Sequence, residues 1–247
     1  MAKRQISSQI VTHDVTDVFG VADNERTDDT LRWYYVAKDN LSTAKLLLEN
    51  KKYHHCVFFL QQCIECIVKG ILLENKILKT AESFSHAPES AIEEFYKQLD
   101  SGSIDLCEYI KHEMCDKEGF ETRLVHMARV YNLFLKQYYK VLEEDAPEDF
   151  YIDPSAYSAI GLPKSCSKNS AYWHVQTMFY VNIFIYCLAI LFSNSTNSKL
   201  QQNTRYPMEE NGLWMPNQKY KETARIIEGL KTIMPQFDFI LKTILRE

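Results

Sequence analysis

The sequence predicts an all-α fold, an up-and-down antiparallel helical bundle. Three observations predict it. The chain of 247 residues holds only 7 glycines and 7 prolines, where average usage would give about 17 and about 12. Glycine and proline punctuate tight turns, so their scarcity argues against sandwiches, barrels and glycine-rich nucleotide loops. Apolar residues recur at alternating steps of three and four over long stretches, the period of a helix with one buried face. No competing strand signal is present. A hydrophobic fraction of 46% and a charged fraction of 25% are those of an ordinary globular chain, which excludes wholesale disorder.

Residues 1–27 are polar, lack helical periodicity and are expected to be loosely ordered. The first helix is expected from about Thr30. Tyr34, Ala37, Leu41, Ala44 and Leu48 share one face, with Asp28 or Asp29 placed to cap the start and Asn50 placed to end it in a left-handed conformation. After Lys51 and Lys52 the same spacing resumes at Tyr53, Val57, Leu60, Ile64, Ile67 and Ile71. Cys56, Phe59 and Cys63 widen this stripe, so the second helix is buried on more than one face. So short a connection makes the two helices antiparallel neighbours.

Short helices are expected around Ala91–Leu99 and between Gly102 and Gly119. A third long helix follows, with Phe120, Leu124, Met127, Tyr131, Phe134, Tyr138 and Val141 on its inner face, and it stops before Pro147. Pro147, Pro154, Gly161 and Pro163 mark an irregular stretch over about 146–168. The next helix, 172–192, contains 18 nearly continuous apolar residues from Val175 to Phe192, close to membrane-span length. It is the one such segment in this reading, and it is read as the central helix of a bundle, since a helix apolar all round is typically buried. A loop rich in Asn and Ser covers 193–218. The last helix is expected from near Asn217, with Tyr220, Ala224, Ile227, Leu230 and Met234 inside and Pro235 kinking or breaking it. The organisation is therefore one helical domain over 28–247, elaborated over about 100–195.

Net charge is −5 and no long basic run occurs, so a general footprint for duplex nucleic acid is absent. The acidic block Glu143, Glu144, Asp145, Glu148 and Asp149 reads as a solvated helix end and loop. Seven cysteines, an odd number, and the lack of an apolar leader segment at the start imply free buried thiols and a cytoplasmic setting. Cys63 and Cys66 lie three apart on a helix, but no second close pair completes a tetrahedral zinc set, so neither a metal nor another cofactor is expected. His54 and His55 stand at a helix start.

Gln61, Gln62, Glu65 and Lys69 occupy what reads as the non-core side of the second helix. Taken alone, Glu65 and Lys69 form a surface pair worth a few tenths of a kcal/mol. The stretch 37–75 resembles the first helix pair of HEPN domains. There a helix with spaced alanines and leucines precedes one reading Gln-Gln-x-x-Glu-x-x-x-Lys, and Gln61, Gln62, Glu65 and Lys69 have that spacing. Ser85-His86 is similar to the Thr/Ser-His pair that opens the family's next helix. Thr204-Arg205-Tyr206-Pro207 is similar to an Arg-Tyr-Pro element near its end. The resemblance falls in 30–98 and 200–245.

The resemblance implies a helical bundle, commonly a homodimer, with a role around nucleotides or RNA. The hallmark of the family's ribonuclease branch, Arg followed by His after four to six residues, is absent. Arg123 and His126 are separated by only two residues, and Arg129 and Arg205 have no His within reach. The Arg-Tyr-Pro variant resembles instead the branch that pairs with small nucleotidyltransferases or binds nucleotides. The reading is a binding module for a nucleotide, an RNA or a nucleotidyltransferase partner, with Glu65, Lys69, His86, Arg205 and Tyr206 as its ligand or partner contacts and no membrane contact. One alternative is an RNA endonuclease of toxin or phage-defence type. A metal-free ribonuclease needs a base and a cation, which Arg123 and His126 on one helical face would supply, although His126 also reads as a partly buried helix residue. The other alternative is a purely structural or oligomerising helical protein.

Overall fold

The computed structural model describes residues 28–74, 112, 119–153, 157, 162–192, 204–205, 208–209, 213–214, 220 and 224–245. Five long helices carry the described part of the chain: α1 (Asp28–Glu49), α2 (Tyr53–Glu74), α3 (Phe120–Glu143), α4 (Lys168–Phe192) and α5 (Ala224–Leu245). The short helices expected between 91 and 119 and the 1–27 segment lie outside the described residues, apart from His112, which is helical.

In α1, Tyr34, Ala37, Leu41 and Ala44 are buried as their spacing requires, and Leu48 packs half-buried at the edge of the core. The capping side chains of Asp28 and Asp29 lie outside the described residues; the helix itself begins at Asp28. Its end differs by one residue from expectation. The left-handed residue is Lys51 (φ 58°), not Asn50. Asn50 still makes a helical bond from its amide to the Leu46 carbonyl, and its side-chain amide donates to the same oxygen. Lys51 N–H then donates to Leu48 O at 3.1 Å and Lys52 N–H to Leu47 O at 2.8 Å. That pair of bonds is the Schellman closure, and it places the positive φ on the residue after the cap.

The chain reverses there, and α2 lies antiparallel to α1. Tyr34 meets Gly70 and Glu74, and further along α1 Asn40 meets Cys66. Every residue of the predicted α2 stripe is buried, together with Cys56, Cys63, Cys66, Val68 and Leu72. The connection to the rest of the bundle explains this: α1 covers one side of α2 and α4 covers another. A Cβ on Gly70 would stand 2.4 Å from Tyr34 Cε1, so only glycine lets the Tyr34 ring lie against the α2 backbone.

The helices close into a ring, with α1 on α2, α2 on α4, α4 on α3, α3 on α5 and α5 on α1. Their inner faces form one hydrophobic core. The stretch read as an elaboration supplies α3 and α4, and Leu124, Met127 and Val181–Phe192 (Asn182 aside) belong to that core. Phe120 stacks edge-on against Phe192 and Tyr220, and Phe192 against Phe237, so one aromatic cluster joins α3, α4 and α5. At the α3–α5 crossing, Leu124 fills the space over Gly229.

The apolar helix predicted at 172–192 begins four residues earlier. Ser167 caps it by accepting a hydrogen bond from Ser170 N–H at 3.1 Å. Asn169 ties this start to the end of α3, accepting from Ala146 N–H and donating to Asp145. Trp173 Nε1 donates to Glu144 O. A satellite cluster of Phe150, Tyr157, Ala171 and Val175 packs beneath this corner. Glu144, Asp145, Glu148 and Asp149 are exposed, as the acidic block predicts. The reading that only one segment has membrane-span length and apolarity needs correction: α2 has them as well as α4, and both are largely buried within the bundle. Two helices hidden in a core satisfy such a criterion because burial on all sides demands the same composition as lipid.

Two further expectations are corrected. The last helix starts at Ala224 rather than near Asn217, and Tyr220 is a buried residue at a bend before it. Pro235 neither ends nor breaks α5. It sits on the exposed side, where a carbonyl without its usual donor is open to water. Inside this helix Ile226, Leu230, Ile233, Met234 and Phe237 are buried, with Ile227 at the edge. A small antiparallel hairpin also occurs where no strand was read. Met208 pairs with Trp214 and Glu209 with Leu213. Strands of two residues are too short to announce themselves by alternation.

Candidate functional site

Phe58, Gln62, Glu65 and Lys69 follow one another on α2 at steps of four, three and four, so they form a single stripe along the helix. Apart from half-buried Gln62, the polar part of this stripe is not solvated. Gln61, Glu65 and Lys69 are all buried, which overturns the reading of this side as the outer face. Lys69 Nζ donates to Glu65 Oε1 at 2.8 Å, with the two side chains 11% and 6% exposed. Trp33 from α1 lies beneath the ammonium, its ring centre 5.0 Å from Nζ. Gln62 reaches Glu65 Oε2 at 3.4 Å. One turn further on, Tyr34 donates its hydroxyl to Glu74 Oε2 at 2.7 Å in a buried setting. α1 therefore lays the Trp33 ring over the stripe's carboxyl-terminal half, while Tyr34 packs beside it on Gly70 and Glu74. Tyr34 was legible as a member of the α1 core stripe, whereas Trp33 was not singled out from the sequence; a cross-helix contact leaves no local spacing signal.

The other end of the stripe is open. Arg205 is exposed, and its guanidinium lies 5.1 Å from the centre of the Phe58 ring. Thr204, its neighbour, is fully buried and anchors the segment. An exposed contact of this kind is worth about 0.5–1 kcal/mol and holds the cation on the surface of α2. Eleven residues separate Phe58 from Lys69, a rise of about 16 Å along the helix. Lys69 and Arg205 thus share a face of α2 but stand at its two ends. His86 and Tyr206 lie outside the described residues.

Arg123 is buried at 5% exposure in the first turn of α3, and His126 is half-buried. Arg123 lies close enough to Tyr220 to act on its phenol. Burial raises the Tyr220 pKa and the neighbouring guanidinium partly offsets it. That places the Arg123 charge beside the aromatic cluster of Phe120 and Tyr220.

The cysteines on α2 are free and buried. Burial pushes the Cys56 thiol up to about 12 and the Cys66 thiol up to about 11, the latter with a further rise from Glu65 offset by Lys69 and by the Asn40 amide. Burial raises Cys63 as well. Among the described residues no group of three or more His, Cys, Asp and Glu is arranged to hold a metal ion. Thiols raised in this way carry little thiolate at pH 8, so these cysteines are nearly inert as nucleophiles. A brief iodoacetamide pulse at pH 8 followed by peptide mapping should label half-buried Cys166 and leave Cys56, Cys63 and Cys66 unmodified. Raising the pH toward 11 should increase their labelling only as far as the fold admits the reagent. Equal labelling of all four at pH 8 would contradict the burial described here.

The antiparallel α1–α2 pair, its covered Glu65–Lys69 stripe and the start of α3 make up the part of the chain that a family comparison recognises. Residues 30–132 match the HEPN domain. The HEPN match starts within α1, spans α2 and the residues between α2 and α3, and ends in the middle of α3. It therefore runs past residue 98 and stops before the Thr204–Pro207 motif. No curated protein and no solved structure matches the chain. A HEPN domain points to a role around nucleotides or RNA in general terms.

Proposed function

We propose that this chain is a HEPN-like binding module that recognises a nucleotide, an RNA or a nucleotidyltransferase partner through the open end of the α2 stripe. The observation that carries this reading is Arg205. It is an exposed guanidinium seated on an aromatic ring and fixed by a buried neighbour, which suits it to pair with a phosphate or to stack on a base. Lys69 has a different part in this reading. Its ammonium is engaged by Glu65 and Trp33, so it shapes the helix pair rather than greeting a ligand. The burial of Arg123 weighs against a ribonuclease built on Arg123 and His126, since that cation would have to reach an RNA phosphate. A homodimer in a reduced cytoplasmic setting, without membrane contact, belongs to the same proposal.

Thermal-shift measurements against a panel of nucleotides test it. A ligand present at 100 times its Kd adds about 2.7 kcal/mol to the folded state. For a domain of this size that corresponds to a rise of roughly 5–10 °C in Tm. Arg205→Ala should remove most of the shift. No shift with any nucleotide or RNA, and no nucleotidyltransferase co-purifying with the protein, would refute the proposal.

A further inference from the structure

The turn between α1 and α2 is rich in basic residues. Lys51 and Lys52 are exposed and consecutive, and His54 and His55 follow in the first turn of α2. The two imidazole rings lie 4.0 Å apart. No acidic residue occupies the first turn of α2, although acidic residues are the favourable choice beside the partial positive charge of a helix start. Glu49, at the end of α1, is the acid nearest in sequence. Phe58 stands three and four residues beyond His55 and His54, hence on the neighbouring turn of the same side. Arg205 lies over that ring. A fifth basic group from a distant part of the chain therefore reaches the same corner.

Three of these groups act on one another. Burial lowers the His54 pKa, and the fields of His55 and Lys52 lower it further. Lys51 adopts φ 58°, a left-handed conformation for which glycine is the default. A lysine kept at a glycine position is conformationally costly for the fold, yet it adds a cation to this edge.

We propose that the corner formed by Lys51, Lys52, His54 and His55, with Arg205 across it on Phe58, binds the phosphate of a nucleotide or of single-stranded RNA. This rests on the binding-module reading above and specifies its ligand chemistry and location. The lysines and Arg205 supply charge to the phosphate oxygens. The imidazoles supply N–H donors. The flat guanidinium–phenyl pair offers a surface on which a neighbouring base stacks.

The test is binding of a fluorescein-labelled ten-nucleotide single-stranded RNA, followed by anisotropy over a range of salt, and of AMP and inorganic phosphate, followed by calorimetry. The double variant Lys51→Gly/Lys52→Ala should bind the RNA at least tenfold more weakly. Removing two phosphate contacts should also flatten the slope of log K against log salt by about 1.4, at roughly 0.7 per contact for a single strand. Arg205→Ala should weaken binding in the same sense. Lys136→Ala and Lys164→Ala, on α3 and in the turn before α4, should leave it unchanged. Lys51→Gly alone keeps the measurement interpretable, because glycine favours that backbone conformation and its Tm should equal or exceed that of the wild type. Binding of RNA without AMP assigns the site to RNA, and binding of both assigns it to the nucleotide unit. If the wild type binds while the corner variants bind with unchanged affinity and salt slope, the corner is overturned and the binding-module reading survives. If none of these probes binds, the corner is overturned and the nucleotide and RNA arms of that reading fall with it.

Discussion

Gly70→Ala should lower the free energy of unfolding by about 2 kcal/mol, although alanine is the better helix former. In an exposed helix this substitution gains about 1 kcal/mol. Here the added methyl would lie 2.4, 2.7 and 2.9 Å from three carbons of the Tyr34 ring. Tyr34 is fully buried, and its hydroxyl is held by Glu74, so the ring has no free space to enter. Overpacking a filled core typically costs about 1–3 kcal/mol, and parting the α1–α2 interface would disturb the most extensive helix contact of the bundle. The clash should outweigh the propensity gain. Urea denaturation measures the outcome. The cause is separated by a cycle with Tyr34→Leu, which destabilises by itself but removes the ring. In that background Gly70→Ala should be neutral or stabilising, with a coupling of about 1–3 kcal/mol. A Gly70→Ala protein as stable as the wild type would show that the two helices are not packed as described.

The second large effect concerns Lys69. A pair on a solvated face would lose a few tenths of a kcal/mol on substitution. The pair described here is 11% and 6% exposed and shielded by Trp33. Removing one member leaves the other buried without this opposing charge, a loss that costs about 3–5 kcal/mol. Lys69→Met should therefore destabilise by about 3 kcal/mol, the lower figure because Lys69 keeps some contact with water. Glu65→Leu should act in the same direction. The double variant Glu65→Leu/Lys69→Met should return to within about 1 kcal/mol of the wild type or exceed it, since an apolar pair of similar volume avoids the desolvation of both ions. Single variants within about 0.5 kcal/mol of the wild type would mean that the stripe is solvated after all.

These two cases show what a single sequence reveals and what it hides. The stripes of α1, α2 and the first half of α3 were legible because burial on one side of a helix leaves a period of 3.6 residues in the chain, and Tyr34, Leu60, Ile64 and Leu124 lie where that period puts them; the side chains of Phe134, Tyr138 and Val141 lie outside the described residues. The burial of Glu65 and Lys69 was not legible. Polar residues at helical spacing have the same pattern whether they face water or a second layer of protein. The arrival of Trp33 from α1 over Lys69 is a tertiary contact that the spacing does not announce. Likewise the spacing of Thr204-Arg205-Tyr206-Pro207 marked Arg205 for attention but gave no hint of Phe58. That pairing spans 147 positions of the chain, and its geometry depends on how the whole ring of helices closes.

The scarcity of glycine and proline, the amphipathic periods and the Gln-Gln-x-x-Glu-x-x-x-Lys spacing determined the all-α class, the antiparallel α1–α2 pair and the resemblance that the HEPN match over 30–132 bears out. Those features are local, because backbone propensity and one-sided burial act within a few turns of helix. The order of helices around the ring, the close approach at Gly70, the interior position of the Glu65–Lys69 pair and the gathering of Arg205 with the basic α1–α2 turn were decided by tertiary structure. Each is a contact between segments far apart in the chain, fixed by the requirement that five apolar faces share one core.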